Sequence, residues 1–316
     1  MMIKPFTSSL RFPLAHTFSI VARDPQTGWM GVAVQSHWFS VGSIVAWGEA
    51  GVGVVATQSM VEISYGPRGL ALMRSGLSAP VALQALLQMD EGREVRQVAM
   101  VDAQGRVAVH TGARCIEAAG HYQGDGFSAQ ANMMKDARVW PAMAQAYQEK
   151  RGDLAERLLA ALEAAQAVGG DIRGQQSACI LIVKGERTTQ PWEGVVMDLR
   201  VEDHPQPIAE LRRLVTLHRA YQQMNAGDAH LAEGRVEAAL EAYRQAALMA
   251  PEIDELPFWH AVTLAELGRL DEALPIFKQV FARNSDWAEL LTRLPAAGLL
   301  RQDEAMLQAI LAQRDA

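Results

Sequence analysis

The sequence predicts an α+β chain in two parts, antiparallel sheets with helices packed on them and then an all-α region of helical repeats. Three observations predict this. The β-rich runs of the first part come as hairpins rather than alternating one-for-one with helices. The segment Asp203-His204-Pro205-Gln206-Pro207 marks a boundary, because prolines hold themselves and their predecessors extended. Beyond it the chain repeats itself. Glu233-Gly234-Arg235-Val236-Glu237-Ala238-Ala239-Leu240 matches Leu267-Gly268-Arg269-Leu270-Asp271-Glu272-Ala273-Leu274, at an offset of 34 residues from Gly234 to Gly268.

The first element is a hairpin. Two β-rich runs, 17–23 and 29–36, flank Asp24-Pro25-Gln26-Thr27-Gly28. Proline presets φ early in that turn and glycine permits positive φ at its end. Strands follow at 41–47 and 52–59, where β-branched residues dominate and glycines punctuate. Gly51-x-Gly53 lacks the third glycine and the following helix of a dinucleotide fingerprint, so it reads as a turn before a strand. Tyr65-Gly66-Pro67-Arg68-Gly69 opens a helix running to Arg74. Ser78-Ala79-Pro80 starts another, with serine as N-cap and proline in the first turn. Its apolar residues Val81, Leu83, Ala85, Leu86 and Leu87 predict a buried face. Strands return at 96–102, 106–111 and 127–133, helices at 138–149 and 154–168, and a closing strand pair at 176–184 and 194–201.

In the repeats Tyr243 pairs with Phe277 and Ala246 with Val280 at the same offset, and Pro251 stands where a helix should stop. Small residues let paired helices approach and the aromatic fills between them, so the region resembles the tetratricopeptide repeat. A degenerate third copy ends in Asp303-Glu304-Ala305-Met306-Leu307, is interrupted by Pro295, and reads as a terminal cap.

Composition narrows the function classes. The 316 residues are 49% hydrophobic and 21% charged, ordinary globular usage. A net charge of -7 argues against a general nucleic-acid binder. No run approaches the ~20 apolar residues of a membrane span. Cys115 and Cys179 are too few for a disulfide framework and read as semi-buried free thiols. His110, His121, His204, His218, His230 and His260 include no two at metal-binding helical spacing, so neither a metal nor a cofactor is expected. Residues 1–16 lack a continuous apolar core, and Ala15-His16 is a poor secretory cleavage site, which favours a cytoplasmic location.

Chemistry centres on Thr17. A threonine at the head of a chain is a nucleophile and base in one residue, its hydroxyl attacking while its own α-amine takes the proton. That amine titrates near pH ~8. Sixteen residues stand before Thr17, so the reading requires their removal or a different start. On the hairpin pattern alone, a threonine there is an ordinary strand residue. Ser36, Ser43 and Thr57 carry hydroxyls near strand ends; Gln58 is expected beside them in a cleft. Asn132 is an amide donor suited to an oxyanion. Asp171, after two glycines, could accept from an amine; Asp24 reads as a turn cap. Tyr65 and Arg68 lie among glycines, where an arginine could bind a substrate carboxylate. Ser36 and His37 are adjacent and point to opposite faces of a strand, which weakens them as a dyad.

The run Thr17-Phe18-Ser19-Ile20-Val21-Ala22-Arg23-Asp24 with Gly31-Val32-Ala33-Val34-Gln35-Ser36 resembles the bacterial family called domain of unknown function 1028. Further matches are Ala50-Gly51-Val52-Gly53, Ala56-Thr57-Gln58, Tyr65-Gly66-Pro67-Arg68-Gly69, Val101-Asp102-Ala103-Gln104-Gly105, and Gly169-Gly170-Asp171 with Gln176-Ser177. The resemblance covers about residues 17–217. It implies a four-layer αββα sandwich of the N-terminal-nucleophile (Ntn) hydrolase superfamily and hydrolysis of an amide bond. Members of the family commonly start at the threonine equivalent to Thr17; this chain departs from that with its leader.

The expected organisation is a leader or propeptide over 1–16, an Ntn-hydrolase-like domain over 17–202, a linker and helix over 203–223, and repeats with a cap over 224–316. The expected activity is cleavage of a small-molecule or peptide amide, with Thr17, Asn132 and Asp171 catalytic and Ser36, Gln58, Tyr65 and Arg68 binding substrate. The alternative is a non-catalytic ligand- or protein-binding chain. A homodimer is expected, with aromatic residues including Trp38, Trp47 and Trp140 as surface candidates, and a protein partner is expected on the repeats.

Overall fold

The computed structural model describes residues 14–314. The chain divides into two units, Met1–Arg213 and Leu214–Ala316.

The first unit holds two antiparallel sheets. The larger has six strands: β2 (Thr17–Arg23), β3 (Met30–Ser36), β8 (Gly120–Gly124), β9 (Phe127–Ala131), β10 (Ser177–Val183) and β11 (Val195–Val201). They run side by side in the order β11-β10-β3-β2-β9-β8. The smaller has five strands: β1 (Leu14–Ala15), β4 (Ala46–Glu49), β5 (Gly53–Met60), β6 (Arg96–Asp102) and β7 (Val107–Thr111). β4 and β1 share one edge of β5, β4 on Gly53 to Ala56 and β1 on Ser59 and Met60.

The sheets face each other. Val21, Val32, Val34 and Leu181 of the larger sheet pack on Val54, Ala56, Ala99 and Val101 of the smaller. The helices α2 (Tyr65–Arg74) and α3 (Ala79–Met89) lie against the smaller sheet. There Leu70, Met73, Leu83 and Leu86 meet Val55, Val98 and Met100. The helices α4 (Val139–Glu149) and α5 (Leu154–Ala167) lie against β9, β8, β2 and β3 of the larger sheet. Gly31 lets α5 lie close: a Cβ there would sit 2.7 Å from Leu158 Cδ1.

Several expected elements differ in detail. The run expected as a strand over 41–47 is a short helix, α1 (Gly42–Val45), and then β4. Gly42 packs on Cys179, where a Cβ would come within 2.7 Å of the cysteine Cβ, and the chain turns at this point instead of extending. β1 and β8 are absent from the sequence-based scheme; β8 carries Gly120, His121, Tyr122, Gln123 and Gly124, whose glycines and polar residues hide a strand. The N-cap at Ser78 forms as expected, its Oγ accepting from the Val81 N–H at 3.4 Å. Cys179 is fully buried and its thiol is pushed up to about 12 by desolvation, while Cys115 is half-buried. Trp38 and Trp47, expected as surface candidates, are partly buried against the interior clusters of their own unit.

The helix α6 (Pro207–Ala232) begins at the proline-containing boundary and runs into the second unit. There follow α7 (Val236–Met249), α8 (Glu255–Glu266), α9 (Leu270–Arg283), α10 (Asp286–Arg293) and α11 (Glu304–Leu311). The repeat positions do what their residue types require. Ala239 and Ala273 are fully buried at helix crossings. Phe277 packs edge-on to Phe258 at 6.0 Å and against Phe281 at 5.6 Å. Tyr243 lies against Gly227 and its hydroxyl donates to Asp228 Oδ1 at 2.6 Å. Among the described residues no helix is long and apolar enough to cross a membrane.

Phe277 is wholly buried in the aromatic cluster, so Phe277→Ala should destabilise the second unit by about 3–5 kcal/mol. Urea unfolding followed by tryptophan fluorescence reads this through Trp287, 4.7 Å from Phe258; a loss under about 1 kcal/mol would contradict the packing.

Candidate active site around Thr17

Side chains alternate along a strand. Residues 17, 19 and 21 of β2, 32, 34 and 36 of β3, 54, 56 and 58 of β5, and 97, 99 and 101 of β6 therefore share the layer between the sheets. That layer is apolar at one end and polar at the other. Its polar end is built from Thr17, Ser19, Ser36, Gln58, Gln97, Ser128, Gln130, Asn132 and Ser177, all fully buried.

Register brings the polar residues abreast. Thr17 lies opposite Ser36, and Ser36 opposite Ser177. On the other side the Asn132 N–H donates to the Thr17 carbonyl at 3.1 Å. Gln58 Nε2 donates across the gap between the sheets to the Thr17 carbonyl at 3.2 Å, and within its own sheet to Gln97 Oε1 at 2.7 Å. Asn132 Nδ2 donates to the same Gln97 oxygen at 2.8 Å. Gln97 Nε2 in turn donates to Thr111 Oγ1 at 2.9 Å and to the Ala131 carbonyl at 2.9 Å. Ser19 Oγ donates to Gln58 Oε1 at 2.6 Å and accepts from Gln130 Nε2 at 2.7 Å. Every amide here is bonded, which is what burial demands.

The residues before Thr17 close this end of the layer. Ala15 and His16 are buried, and Thr17 has no exposed surface. The chain crosses from β2 of one sheet to β1 on the other, so residues 15 and 16 lie over Thr17; residues 1–13 of the expected leader fall outside the described residues. Thr17 Oγ1 donates to the Ala15 carbonyl at 2.7 Å. The carbonyl of His16, which belongs to the peptide bond joining it to Thr17, accepts from two side chains. Ser36 Oγ lies 2.6 Å away and Arg173 Nη2 2.7 Å away. Asp171 holds the guanidinium in a two-point pair, 3.0 Å to Nε and 2.7 Å to Nη2. Gly169 and Gly170, both with positive φ, end α5 and deliver Asp171 to an isolated bridge with Met134.

His16 Nδ1 lies 2.8 Å from Asn132 Oδ1. Burial lowers the His16 pKa below its ordinary 6.5, the Asn132 hydrogen bond opposes this, Arg173 adds to the lowering and Asp171 opposes it.

Thr17, Ser36, Gln58, Asn132 and Asp171 therefore come together. Asn132 differs from its expected use: its amide donates to Gln97 and to the Thr17 carbonyl rather than into open space. Tyr65 and Arg68 stand apart from this cluster. Both lie on α2, where the Tyr65 hydroxyl donates to Asp90 Oδ2 at 3.1 Å and Arg68 Nη2 lies 3.6 Å from Met89 Sδ. Gly66, between them on α2, is the close-approach point for Trp47, whose ring lies 2.4 Å from where its Cβ would be. Thr57 faces the other side of β5 and donates to the Glu62 carbonyl, Ser43 donates to the Ser40 carbonyl, and Asp24 caps its turn through Thr27. The His37 N–H donates to Asp171 Oδ2 at 3.3 Å, a contact of its backbone and not of its imidazole.

Arg173, Gln97 and the His16 carbonyl were not legible as site groups. Arg173 follows the Gly-Gly-Asp turn by two residues, the one local signal that could have found it. Among the described residues no group of three or more His, Cys, Asp or Glu side chains could hold a metal ion.

The family described as "Family of unknown function (DUF1028)" matches residues 17–211, starting at Thr17. The tetratricopeptide repeat family matches residues 230–294. The crystal structure of a protein from Silicibacter pomeroyi, assigned to DUF1028, superposes with a TM-score of 0.57 at 32% identity, over 64% of this chain and 88% of that one. No curated protein matches the chain.

Two outcomes are expected. Gln97→Leu removes the acceptor shared by Gln58 and Asn132 and should cost about 2–4 kcal/mol in urea unfolding; a change under about 0.5 kcal/mol would show that the amides are not held by it. His16 has a folded pKa below its unfolded value, so its contribution is complete above pH 6.5 and is lost as pH falls below it. Hydrogen exchange at residues 14–16, corrected for intrinsic rates, should therefore be faster at pH 5.5 than at pH 7.5. Equal protection would contradict the buried neutral imidazole.

Proposed function

This chain belongs to the DUF1028 family, and on that premise we propose that its first unit is an αββα sandwich of the Ntn-hydrolase type that cleaves an amide bond with Thr17 as nucleophile. The observation that carries the reading is the grip on the His16 carbonyl by Ser36 Oγ and Arg173 Nη2, at 2.6 and 2.7 Å, beside the Thr17 hydroxyl. Two donors, one of them charged, are aimed at the oxygen on which negative charge would develop if Thr17 attacked its own preceding peptide bond.

The described chain is then the precursor. Thr17 Oγ turns from the Ala15 carbonyl and bonds to the His16 carbonyl carbon. The His16–Thr17 C–N bond breaks, the hydroxyl proton passes to the departing nitrogen, and His16 is left as an ester on Thr17 Oγ. Water hydrolyses that ester, releasing the leader as a carboxylic acid and leaving Thr17 with a free amine and a free hydroxyl. Turnover repeats the chemistry on an added amide. The α-amine, a group whose ordinary pKa is about 8, takes the hydroxyl proton. Ser36 and Arg173 serve as the donors already aimed at a carbonyl oxygen, and Asp171 keeps the guanidinium in place.

A second reading has its own observation. Thr17 has no exposed surface, which suits a binding chain whose site stays closed.

A panel of amides separates the two. The hydrolase reading expects hydrolysis by protein that begins at Thr17, lost by more than about a thousandfold in Thr17→Ala and partly retained in Thr17→Ser. Unchanged hydrolysis in Thr17→Ala would overturn it, and no hydrolysis by any form would favour the binding reading.

A further inference from the structure

We infer that the substrate is an extended peptide, bound as a strand on the strip of β5 edge that residues 14 and 15 now cover. The inference rests on the hydrolase reading above and names the substrate class of that site.

The edge of β5 has two occupants placed end to end. β4 covers Gly53 to Ala56 and is part of the fold that remains when the chain begins at Thr17. β1 covers Ser59 and Met60 in antiparallel register, Ala15 opposite Ser59 and Leu14 opposite Met60, and belongs to the part that precedes the nucleophile. Once the bond before Thr17 is cut and the leader leaves, Ser59 and Met60 lose the strand that faces them, while the Met60 carbonyl keeps its bond from Arg96 Nη1 at 2.6 Å. An unpaired edge is a template for another extended chain. This one ends beside Thr17, because the chain passes from β1 to β2 through the single residue His16.

The leader thus marks out the acyl side of a peptide substrate. The residue in the place of His16 presents its carbonyl to Ser36 and Arg173, and its side chain meets Asn132 Oδ1, an acceptor that selects a hydrogen-bond donor. The residue in the place of Ala15 sits in the interior cluster with no exposure, which selects a small side chain. Thr17 Oγ then forms an ester with the acyl peptide, the amide C–N bond breaks, and the amine departs with the proton carried by the Thr17 amine. Water returns a new peptide carboxylate and free Thr17. Amides without an extended backbone have nothing to place on Ser59 and Met60.

The test uses full-length chains whose own leader is displaced. Ala15→Trp places a large side chain where there is no room, and Ala15→Arg does so with a charge, so that one variant answers if the other fails to fold. The probe is the hexapeptide Arg-Phe-Pro-Leu-Ala-His, the sequence of residues 11–16, titrated by calorimetry. All chains carry Thr17→Ala so that the leader stays attached, and both variants should bind the probe at least tenfold more tightly than Thr17→Ala alone, whose own leader competes. Hydrogen exchange at Ser59 and Met60 should rise in the variants and fall again with the probe. N-methylation of the leucine and alanine amides of the probe should abolish binding. Variants that melt like the wild type and exchange rapidly at Ser59 and Met60, yet take up no probe or bind the N-methylated form equally well, would overturn the inference. The readout needs no turnover. Probe binding with no amide hydrolysed by any form would remove the hydrolase reading and keep the strip, whereas hydrolysis of non-peptide amides without probe binding would remove the strip and keep the reading.

Discussion

Polar side chains sealed between two sheets have no water to bond to, and the polar end of this inter-sheet layer is organised around that constraint. Gln97 is its centre. It accepts from Gln58 of its own sheet and from Asn132, next to β9 of the other, and donates outward to Thr111 and the Ala131 carbonyl. Gln58 and Asn132 then have their remaining donors committed to the Thr17 carbonyl. Thr17 is thereby fixed in position by its backbone, which leaves its hydroxyl outside the amide network. In the hydrolase reading this combines a rigid support with a reacting group that the support does not consume. The valines at the other end of the layer supply the burial that makes the amide bonds obligatory.

The same constraint accounts for the leader. With residues 15 and 16 in place, the polar end is sealed: the His16 carbonyl takes the Ser36 and Arg173 donors, and the Ala15 carbonyl takes the Thr17 hydroxyl. In the hydrolase reading, loss of these residues frees those donors for water or a substrate carbonyl. Arg173 does not become an isolated buried charge in that change, because Asp171 keeps it paired at two points.

Much of the fold was legible because it is local. The turn at Asp24 to Gly28, the serine cap at Ser78 and the 34-residue offset from Gly234 to Gly268 each declare themselves within a few residues. The site was legible in part, since Thr17, Ser36, Gln58, Asn132 and Asp171 stand in ordered motifs. Its remaining members depend on pairings far apart in sequence. Arg173 reaches the His16 carbonyl across 157 residues, and Gln97 is one more polar residue in a strand until the facing sheet is known. Tyr65 and Arg68 lie apart from the cluster for a related reason. Glycine signals either freedom or close packing, and at Gly66 the deciding neighbour, Trp47, lies outside the local motif. β1 is not legible in the sequence because two residues carry no periodicity, and only the β5 edge gives them a strand's geometry.

The central claim is that Thr17 becomes the first residue of the working chain. Intact-mass spectrometry with N-terminal sequencing, followed over time on purified full-length protein, tests it most directly. The account predicts growth of a species that has lost residues 1–16 and begins with Thr17, and no such species from Thr17→Ala. A wild-type chain that keeps its His16–Thr17 bond intact and hydrolyses amides as well as its Thr17→Ala variant would contradict it.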